Sequence, residues 1–472
     1  MQNNETICAL ATAPGGALGI IRISGPRSLE ILSHIFQGKA EVQSYPANTI
    51  HYGHIVEHFE HNEHFEHNEH VEYDAVSQHP TPLDEVIVSI FKAPKSYTGE
   101  DAAEITCHGS RYILNKVLEL LIANGCRMAN PGEFTQRAYL NGKMDLSQAE
   151  AVADLIASTN RATHQMAMSQ LKGHFSSELK KLRYQLLQLT SLLELELDFS
   201  DHEDLEFADR SELYDLANKI DNRIQQLAKS FEIGQALRSG IPVAIVGKTN
   251  VGKSTLLNRL LGDDRALVSD IHGTTRDTIE DTMEIDGLQF RFIDTAGIRQ
   301  TSDKVEQMGI ERTMQKIKEA RIVLWLMDAP PTNKEFDEMR ELTKGKERIC
   351  IHNKADLVNM KKFNPYILPL SIISAKEGTG IESLKKHILE AAKRLGLTGN
   401  EIIVTNARHY DALLRAHDSI QRVIEGLHNE LSGDLLSEDL RQALEILAEI
   451  TGGQITPQET LNNIFSHFCV GK

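Results

Sequence analysis

"GKTNVGKS", residues 247–254, lies between the apolar run "VAIV" and the helical "TLLNRLL". A glycine-rich turn of the form G-x-x-x-x-G-K-[ST] that joins a strand to a helix is the phosphate loop of nucleotide hydrolases, and it predicts a parallel α/β sheet around it. The glycines let backbone N–H groups approach the phosphates, Lys253 reaches the outer phosphates as a point charge, and Ser254 offers a hydroxyl to Mg2+. Asn250, Val251, Gly252 and Thr255 are the loop's other predicted nucleotide contacts.

Further short segments follow in the order that a guanine-nucleotide site requires. "DTAG", Asp294 to Gly297, ends a strand-like run. Asp294 can meet Mg2+ through water and the Gly297 N–H can sense the γ-phosphate, with Thr295 and Ala296 between them. "NKAD", Asn353 to Asp356, supplies the base reader. The Asp356 carboxylate can accept two hydrogen bonds from the guanine N1–H and amino group, which adenine cannot provide, and Asn353 and Lys354 belong to the same segment. "SAK", Ser374, Ala375 and Lys376, adds a backbone contact to guanine O6. In "GTTRD", residues 273–277, Thr274 and Thr275 form a switch segment, with Thr275 closing over Mg2+. GTP is therefore the predicted substrate. After "DTAG" comes Ile298, where many small GTPases carry the Gln that orients the attacking water, and an isoleucine cannot do this. Two candidates remain. Asn250 could ligate a monovalent cation that takes the place of an arginine finger, and a carboxylate in "SDKVEQMGIER" could orient the water.

A chain of 472 residues is too long for one core, and about three domains are expected. With 41% apolar and 25% charged residues it reads as globular throughout. The formal charge of -17 argues against nonspecific nucleic-acid binding over the whole surface, while a local basic face or a partner subunit could still hold RNA. Five cysteines with no C-x-x-C pair suggest neither a disulfide framework nor a zinc knuckle, and fit a reducing cytoplasm. No basic n-region opens the chain, and "IVLWLM" from Ile322 is far shorter than a bilayer span, so neither a signal peptide nor a membrane is expected.

The expected fold is multidomain, α/β plus α. Short apolar runs such as "LGIIRIS" and "LDEVIVSIF", separated by Gly/Pro turns, give a small α+β domain over residues 1–120. Leu179, Leu182, Leu186, Leu189 and Leu193 recur at steps of three and four, as do Leu213, Leu216 and Ile220, so residues 121–239 carry the first part of a helical domain. The acidic "DFSDHEDLEFAD" from Asp198 is expected to break two of its helices. Residues 240–400 alternate strand-like and helical runs, as an α/β nucleotide-binding domain should. Helical texture resumes over 401–472. Neither helical block has strands to pack on, so the two are expected to pack on each other, with the α/β domain inserted between them in sequence. "HFEHNEHFEHNEH", residues 58–70, places His58, His61, His64, His67 and His70 at every third position. It reads as a low-complexity surface loop that could also chelate a divalent metal.

The nucleotide-site segments, taken with "SYTGEDAAEITCHG", "NPGEFTQRAYLNGKMDLSQAEAVADLI" and the terminal "FCVGK", closely resemble the MnmE (TrmE) family of tRNA modification GTPases over nearly the whole chain, the His/Glu repeat apart. The resemblance implies a folate-binding N-terminal domain that forms a homodimer, a helical domain, and a K+-activated GTPase domain inserted in it. It implies that Asn250 and Thr275 help to hold K+, that Glu306 orients the hydrolytic water, and that the GTP state drives a large conformational change. By the same resemblance Arg22, Glu104, Lys143 and Lys472 bind 5,10-methylene- or 5-formyl-tetrahydrofolate as a one-carbon donor. The implied activity is modification of C5 of the wobble uridine of certain tRNAs, with an FAD-dependent partner, MnmG (GidA), in a heterotetramer or larger complex.

The chain's last residues pose a separate question, because Cys469 stands fourth from the end, as in a C-a-a-X box. Upstream, Thr456 can N-cap, Pro457 suits the first helical position, Glu459 completes a capping box, and Leu461, Ile464, Phe465 and Phe468 share one helical face. The tail is therefore expected to be docked. Gly471 and Lys472 are poor box residues, which argues against lipidation. The residues alone leave Cys469 either a buried bystander or a thiol that nearby Lys472 favours as thiolate. The resemblance implies a catalytic role beside the folate and tRNA chemistry.

Overall fold

The computed structural model describes residues 5–57, 81–198, 210–262, 281–293, 314–357, 370–396, 402–453, 458–466 and 468–471. The chain divides into two compact units, Met1–Ala153 with Thr451–Lys472, and Asp154–Ile450.

The first unit is built on strands β1 (Ile7–Leu10), β2 (Leu18–Ser24), β3 (Phe36–Gly38), β4 (Thr49–Glu57), β5 (Thr81–Phe91), β6 (Ala102–His108) and β7 (Arg127–Met128). They form one sheet in the order β3-β4-β5-β6-β2-β1-β7, antiparallel except for the parallel β1–β7 pair. Alternation along the strands separates the two faces. Ile21, Ile23, Val86, Val88, Ile90 and Ile105 point inward, where α1 (Ser28–Ile35) and α2 (Arg111–Ala123) cover them with Leu32, Val117 and Leu121. On the opposite face α3 (Glu133–Leu140) sets Phe134 against Ile7 and Ala9. The C-terminal helix, Gln458–Ser466, buries Leu461 and Phe465, with Phe468 just beyond it, against Leu146 and Ala149 at the start of α4 (Leu146–Ile156).

These contacts move two expected boundaries. Residue 120 falls inside α2, and the sheet gains β7 after it, so the first unit runs on to Ala153. The tail expected in the helical domain belongs to the first unit as well, because its apolar face finds its partners on α4. The proposed cap residues Thr456 and Pro457, and the His/Glu repeat, lie outside the described residues. Gly132, just before α3, has φ +67, and a Cβ there would sit 2.9 Å from both the Phe465 carbonyl oxygen and Phe468 Cβ. Gly132→Ala is therefore expected to cost about 1–2 kcal/mol in backbone strain and to loosen the tail. Carboxypeptidase should trim the variant's last residues faster than those of the parent; equal protection would refute this.

In the second unit come α5 (Arg161–Leu171), α6 (His174–Asp198) and α7 (Arg210–Ser239), then β8 (Ile241–Val246), α8 (Lys253–Gly262), β9 (Thr282–Ile285) and β10 (Leu288–Phe292). There follow β11 (Ile322–Met327), α9 (Asn333–Leu342), β12 (Glu347–His352), β13 (Leu370–Ile372), α10 (Ile381–Arg394), α11 (Ala407–His428) and α12 (Gly433–Thr451). The leucines expected on one face of α6 are all buried, in one core with Leu213 and Ile220 of α7, Leu413 and Ile420 of α11, and Leu440 and Leu447 of α12. The two helical blocks thus pack on each other. Asp221, buried in this bundle, accepts hydrogen bonds from Gln225, Gln421 and His417, which satisfies a charge that would otherwise be costly there.

Helix α7 runs directly into β8, and the chain returns to the bundle at residues 402–405. Gln170 of α5 donates to the Ile403 carbonyl, Gln235 of α7 to the Thr405 carbonyl, and the Val404 N–H to Ser230 Oγ. The inserted sheet has the order β13-β12-β11-β8-β10-β9, parallel except for the β10–β9 pair. Its central strands β8 and β11 are apolar on both sides, as strands covered on both faces are, while β10 alternates buried Leu288, Phe290 and Phe292 with Gln289 and Arg291. Ile241, Val243 and Ile245 pack with α8 and α10, while Ala244, Val246, Val323, Trp325 and Met327 face Phe336 and Met339 of α9.

Candidate functional site

Loops at the carboxyl ends of β8, β11, β12 and β13 converge, which is where parallel α/β sheets bind ligands. The phosphate loop turns through Asn250, whose φ of +62 is left-handed, and its side chain makes no hydrogen bond among the described residues. Val251 is buried and Gly252 has φ +97. A Cβ on Gly252 would run into the amide of Asn353, so glycine is needed there for space as well as for conformation. Lys253 begins α8 and donates to the Gly247 and Lys248 carbonyls at 2.8 and 2.6 Å. Burial, and then Lys316 nearby, lower the pKa of its ammonium. An anionic phosphate would satisfy that charge better than the carbonyls do. Ser254 and Thr255 follow in the first turn of α8.

Asn353 holds the site together. It is 3% exposed, and its amide donates to the Val251 carbonyl at 2.8 Å and accepts from the Ala375 N–H at 2.9 Å. One side chain therefore ties the phosphate loop to the "SAK" loop. Ser374, also buried, donates from its hydroxyl to Asp356 Oδ1 at 2.7 Å. This bond is the main cause that lowers the Asp356 pKa, so the exposed carboxylate is an ionised acceptor aimed by its neighbour. Lys354, at φ +62, reaches Asp328 Oδ2 at 2.8 Å. Arg259 of α8 donates to the Ala375 and Lys376 carbonyls at 3.3 and 2.6 Å, which fixes the "SAK" loop. Asp328 and Arg259 escaped the sequence reading. The signal for Asp328 was its place directly after "IVLWLM", at the carboxyl end of a central strand. Thr274, Thr275, Asp294, Thr295, Ala296, Gly297 and Glu306 lie outside the described residues. Ile293, the last described residue before Asp294, is buried beside β8.

The first unit gathers a second group of singled-out residues on the outer face of its sheet. Arg22 and Glu104 are cross-strand partners in β2 and β6, and Arg22 Nε and Nη2 donate to Glu104 Oε1 at 2.9 and 2.7 Å. Arg22 Nη1 donates to the Gly471 carbonyl at 3.1 Å, which brings the C-terminal tail to the pair. The guanidinium lies 5.7 Å from the Tyr97 ring centroid and 5.6 Å from that of Phe134. Lys143 donates to the Pro94 carbonyl at 2.8 Å, on the loop that carries Tyr97. Cys469 is exposed, not a buried bystander, and its carbonyl accepts from the Gly132 N–H at 3.4 Å. Lys472 is outside the described residues. Behind the pair, Ser24, Thr98, Glu100 and Arg137 form a hydrogen-bonded cluster that the sequence reading did not single out. Among the described residues no group of three or more His, Cys, Asp or Glu side chains could hold a metal ion, and no helix is long and apolar enough to cross a membrane.

Comparison with known proteins bears on both sites. A family model described as the GTP-binding protein TrmE N-terminus matches residues 6–143, and one described as the MnmE helical domain matches residues 146–469. A curated relative from Phocaeicola vulgatus, named tRNA modification GTPase MnmE, is 52% identical, with 100% of each chain covered. Relatives of the same name from Bacteroides thetaiotaomicron and Flavobacterium johnsoniae are 51% and 47% identical, also with 100% of each chain covered.

Proposed function

Because this chain belongs to the MnmE family of tRNA modification GTPases, and so hydrolyses GTP in the modification of tRNA, we propose that it acts on C5 of the wobble uridine with a tetrahydrofolate one-carbon donor. The observation that carries this reading is the juxtaposition of the Arg22–Glu104 pair, the two aromatic rings and the C-terminal tail with its exposed Cys469. Arg22 and Lys143, with Lys472, supply charges that suit the carboxylates of a folate tail, and Glu104 can pair with pterin N–H groups. Cys469 is the thiol available to the chemistry beside them. Flavin chemistry comes from an FAD-dependent partner of the MnmG kind, and that partner supplies much of the RNA-binding surface, consistent with a net charge of -17. The product is carboxymethylaminomethyl- or aminomethyl-uridine, made in the cytoplasm.

A homodimer through the first unit fits the same reading. Ile50, Tyr52 and Ile87 are 70%, 60% and 46% exposed on one face of adjacent strands, with Tyr52 and Ile87 directly paired, an apolar surface of the sort that association covers. In the second unit the donor set of the nucleotide site fits two ions. Ser254, Thr275 and, through water, Asp294 are oxygen ligands suited to Mg2+. The amide oxygen of Asn250, with Thr275, suits K+, which supplies positive charge at the phosphates; Glu306 orients the water.

The test is nucleoside mass spectrometry of tRNA from a bacterium that lacks its own copy of the gene and carries this one. Wobble uridines should regain the modification, and Cys469→Ser should lose it; full modification without this chain, or with Cys469→Ser, would defeat the reading. Replacing K+ by Na+ should slow GTP hydrolysis by about two orders of magnitude or more, as removal of a charge-stabilising element does. Equal rates in both salts would remove Asn250 from its assigned role.

A further inference from the structure

Between β11 and α9 the chain reads "DAPPTNKE", Asp328 to Glu335, and both ends of this stretch touch the nucleotide site. At one end Asp328 Oδ2 takes the Lys354 ammonium at 2.8 Å. At the other Glu335 Oε1 takes the ammonium of Lys248, the second residue of the phosphate loop, at 2.6 Å. Neither carboxylate belongs to the segments that identify the GTPase.

The stretch between them is stiff for reasons visible in its residues. Pro330 and Pro331 fix two successive φ angles and cannot join a helix interior. Thr332 then caps α9 in a reciprocal box: its hydroxyl accepts from the Glu335 N–H at 3.3 Å, while Glu335 Oε2 accepts from the Thr332 N–H at 2.9 Å. Glu335 thus divides its two oxygens between the cap and Lys248, and together they hold its pKa down at about 2. Helix α9 is anchored by Phe336, which packs on Trp325 and lies under the Arg348 guanidinium. The Asn353 N–H donates to the Met327 carbonyl at 2.8 Å, so the base-reading loop is also bonded to the residue before Asp328.

We propose that Asp328–Glu335 is a positioning strap that sets the base-reading Lys354 and the phosphate loop at a fixed separation, with Asp328 as the positioning residue for Lys354. Lys354 adopts a left-handed backbone that a lysine rarely takes, and its ammonium anchor on Asp328 holds its four-carbon stem beside the proposed base position. Without that anchor the stem rotates freely, and ordering it becomes a cost of binding nucleotide. At the phosphate end the Glu335–Lys248 pair is more exposed, Lys248 being 76% exposed, so its share is the smaller.

The experiment measures release of a fluorescent guanosine diphosphate from the full-length chain, together with steady-state GTP hydrolysis. Asp328→Ala is expected to speed release about tenfold, the size of a hydrogen bond to a charged group, and to raise KM for GTP in step while kcat changes less than about twofold. Asp328→Glu should recover part of the loss. On a Lys354→Met background Asp328→Ala should add nothing, since its partner is gone. The preference for GTP over inosine triphosphate should stay as it is, because Asp356 reads the amino group. Glu335→Gln, a substitution at the exposed end that leaves the core untouched, should speed release about twofold to threefold. Unchanged release in both Asp328→Ala and Glu335→Gln would overturn the strap, and so would an Asp328→Ala effect that adds in full to that of Lys354→Met.

Discussion

Asp356→Asn is expected to change which nucleotide the protein hydrolyses. The parent carboxylate is held ionised and aimed by Ser374 Oγ at 2.7 Å, and it is the acceptor proposed for the guanine N1–H and amino group. An asparagine keeps one oxygen for the guanine N1–H but presents a donor where the guanine amino group also presents one, so one hydrogen bond is lost and a clash of like dipoles replaces it. Xanthine carries a carbonyl in place of the amino group and meets that amide productively. A site built to hydrogen-bond its substrate rejects the mismatched analogue strongly, and kcat/KM for GTP should fall by about three orders of magnitude while that for xanthosine triphosphate rises. The check is kcat/KM for both nucleotides, with the melting temperature of each variant alongside. Retained GTP selectivity in a folded Asp356→Asn protein would mean that the base is read elsewhere.

The second large effect is expected at Asn353. Truncation to alanine leaves the Val251 carbonyl and the Ala375 N–H without their side-chain partner in a buried setting. Each orphaned group costs about 1–3 kcal/mol, so about 2–6 kcal/mol of the inserted domain's stability should go. Binding should suffer further, because the two loops that Asn353 joins are those proposed to hold the phosphates and the base. GTP affinity is expected to fall about a hundredfold. Asn353→Asp separates the two bonds: its oxygen can still accept from Ala375, but nothing donates to Val251, and an intermediate loss should follow. Denaturant midpoints and nucleotide dissociation constants read both effects, and an Asn353→Ala protein with parental values would show the bridge to be dispensable.

Much of this architecture was legible in the residues. The three-and-four spacing from Leu179 to Leu193 marked a buried helical stripe because an amphipathic helix must repeat its apolar side at that interval, and all five leucines are buried. The strand-like runs "VAIV" and "IVLWLM" are strands β8 and β11, apolar without alternation as strands covered on both faces are. Asp356 was singled out for another reason, namely that guanine requires a carboxylate placed to accept two donors, and the fold adds the Ser374 hydroxyl that aims it. The end of the first unit was not legible. Nothing local to residue 120 announces that "RM" at 127–128 adds a strand to β1, because a parallel partner more than a hundred residues away makes it one.

The sequence by itself placed the segments that the fold then brings together: the phosphate loop, the "NKAD" and "SAK" loops, and the paired Arg22 and Glu104. It also determined that two helical blocks flank an inserted α/β domain. Tertiary structure alone decided what holds these parts in place. Asn353, quoted in the sequence as one member of a base-reading segment, proves to be the bridge between two loops, one 102 residues before it and the other 22 after it. Asp328 and Arg259 became parts of the site only when β11 and α8 brought them to the loops that they hold. The C-terminal tail changed its domain for the same reason, since Leu461, Phe465 and Phe468 declare an apolar face but not the surface that will cover it. A motif records which groups a reaction needs, and its spacing is local. The supports are set by packing between distant segments, which no local pattern encodes.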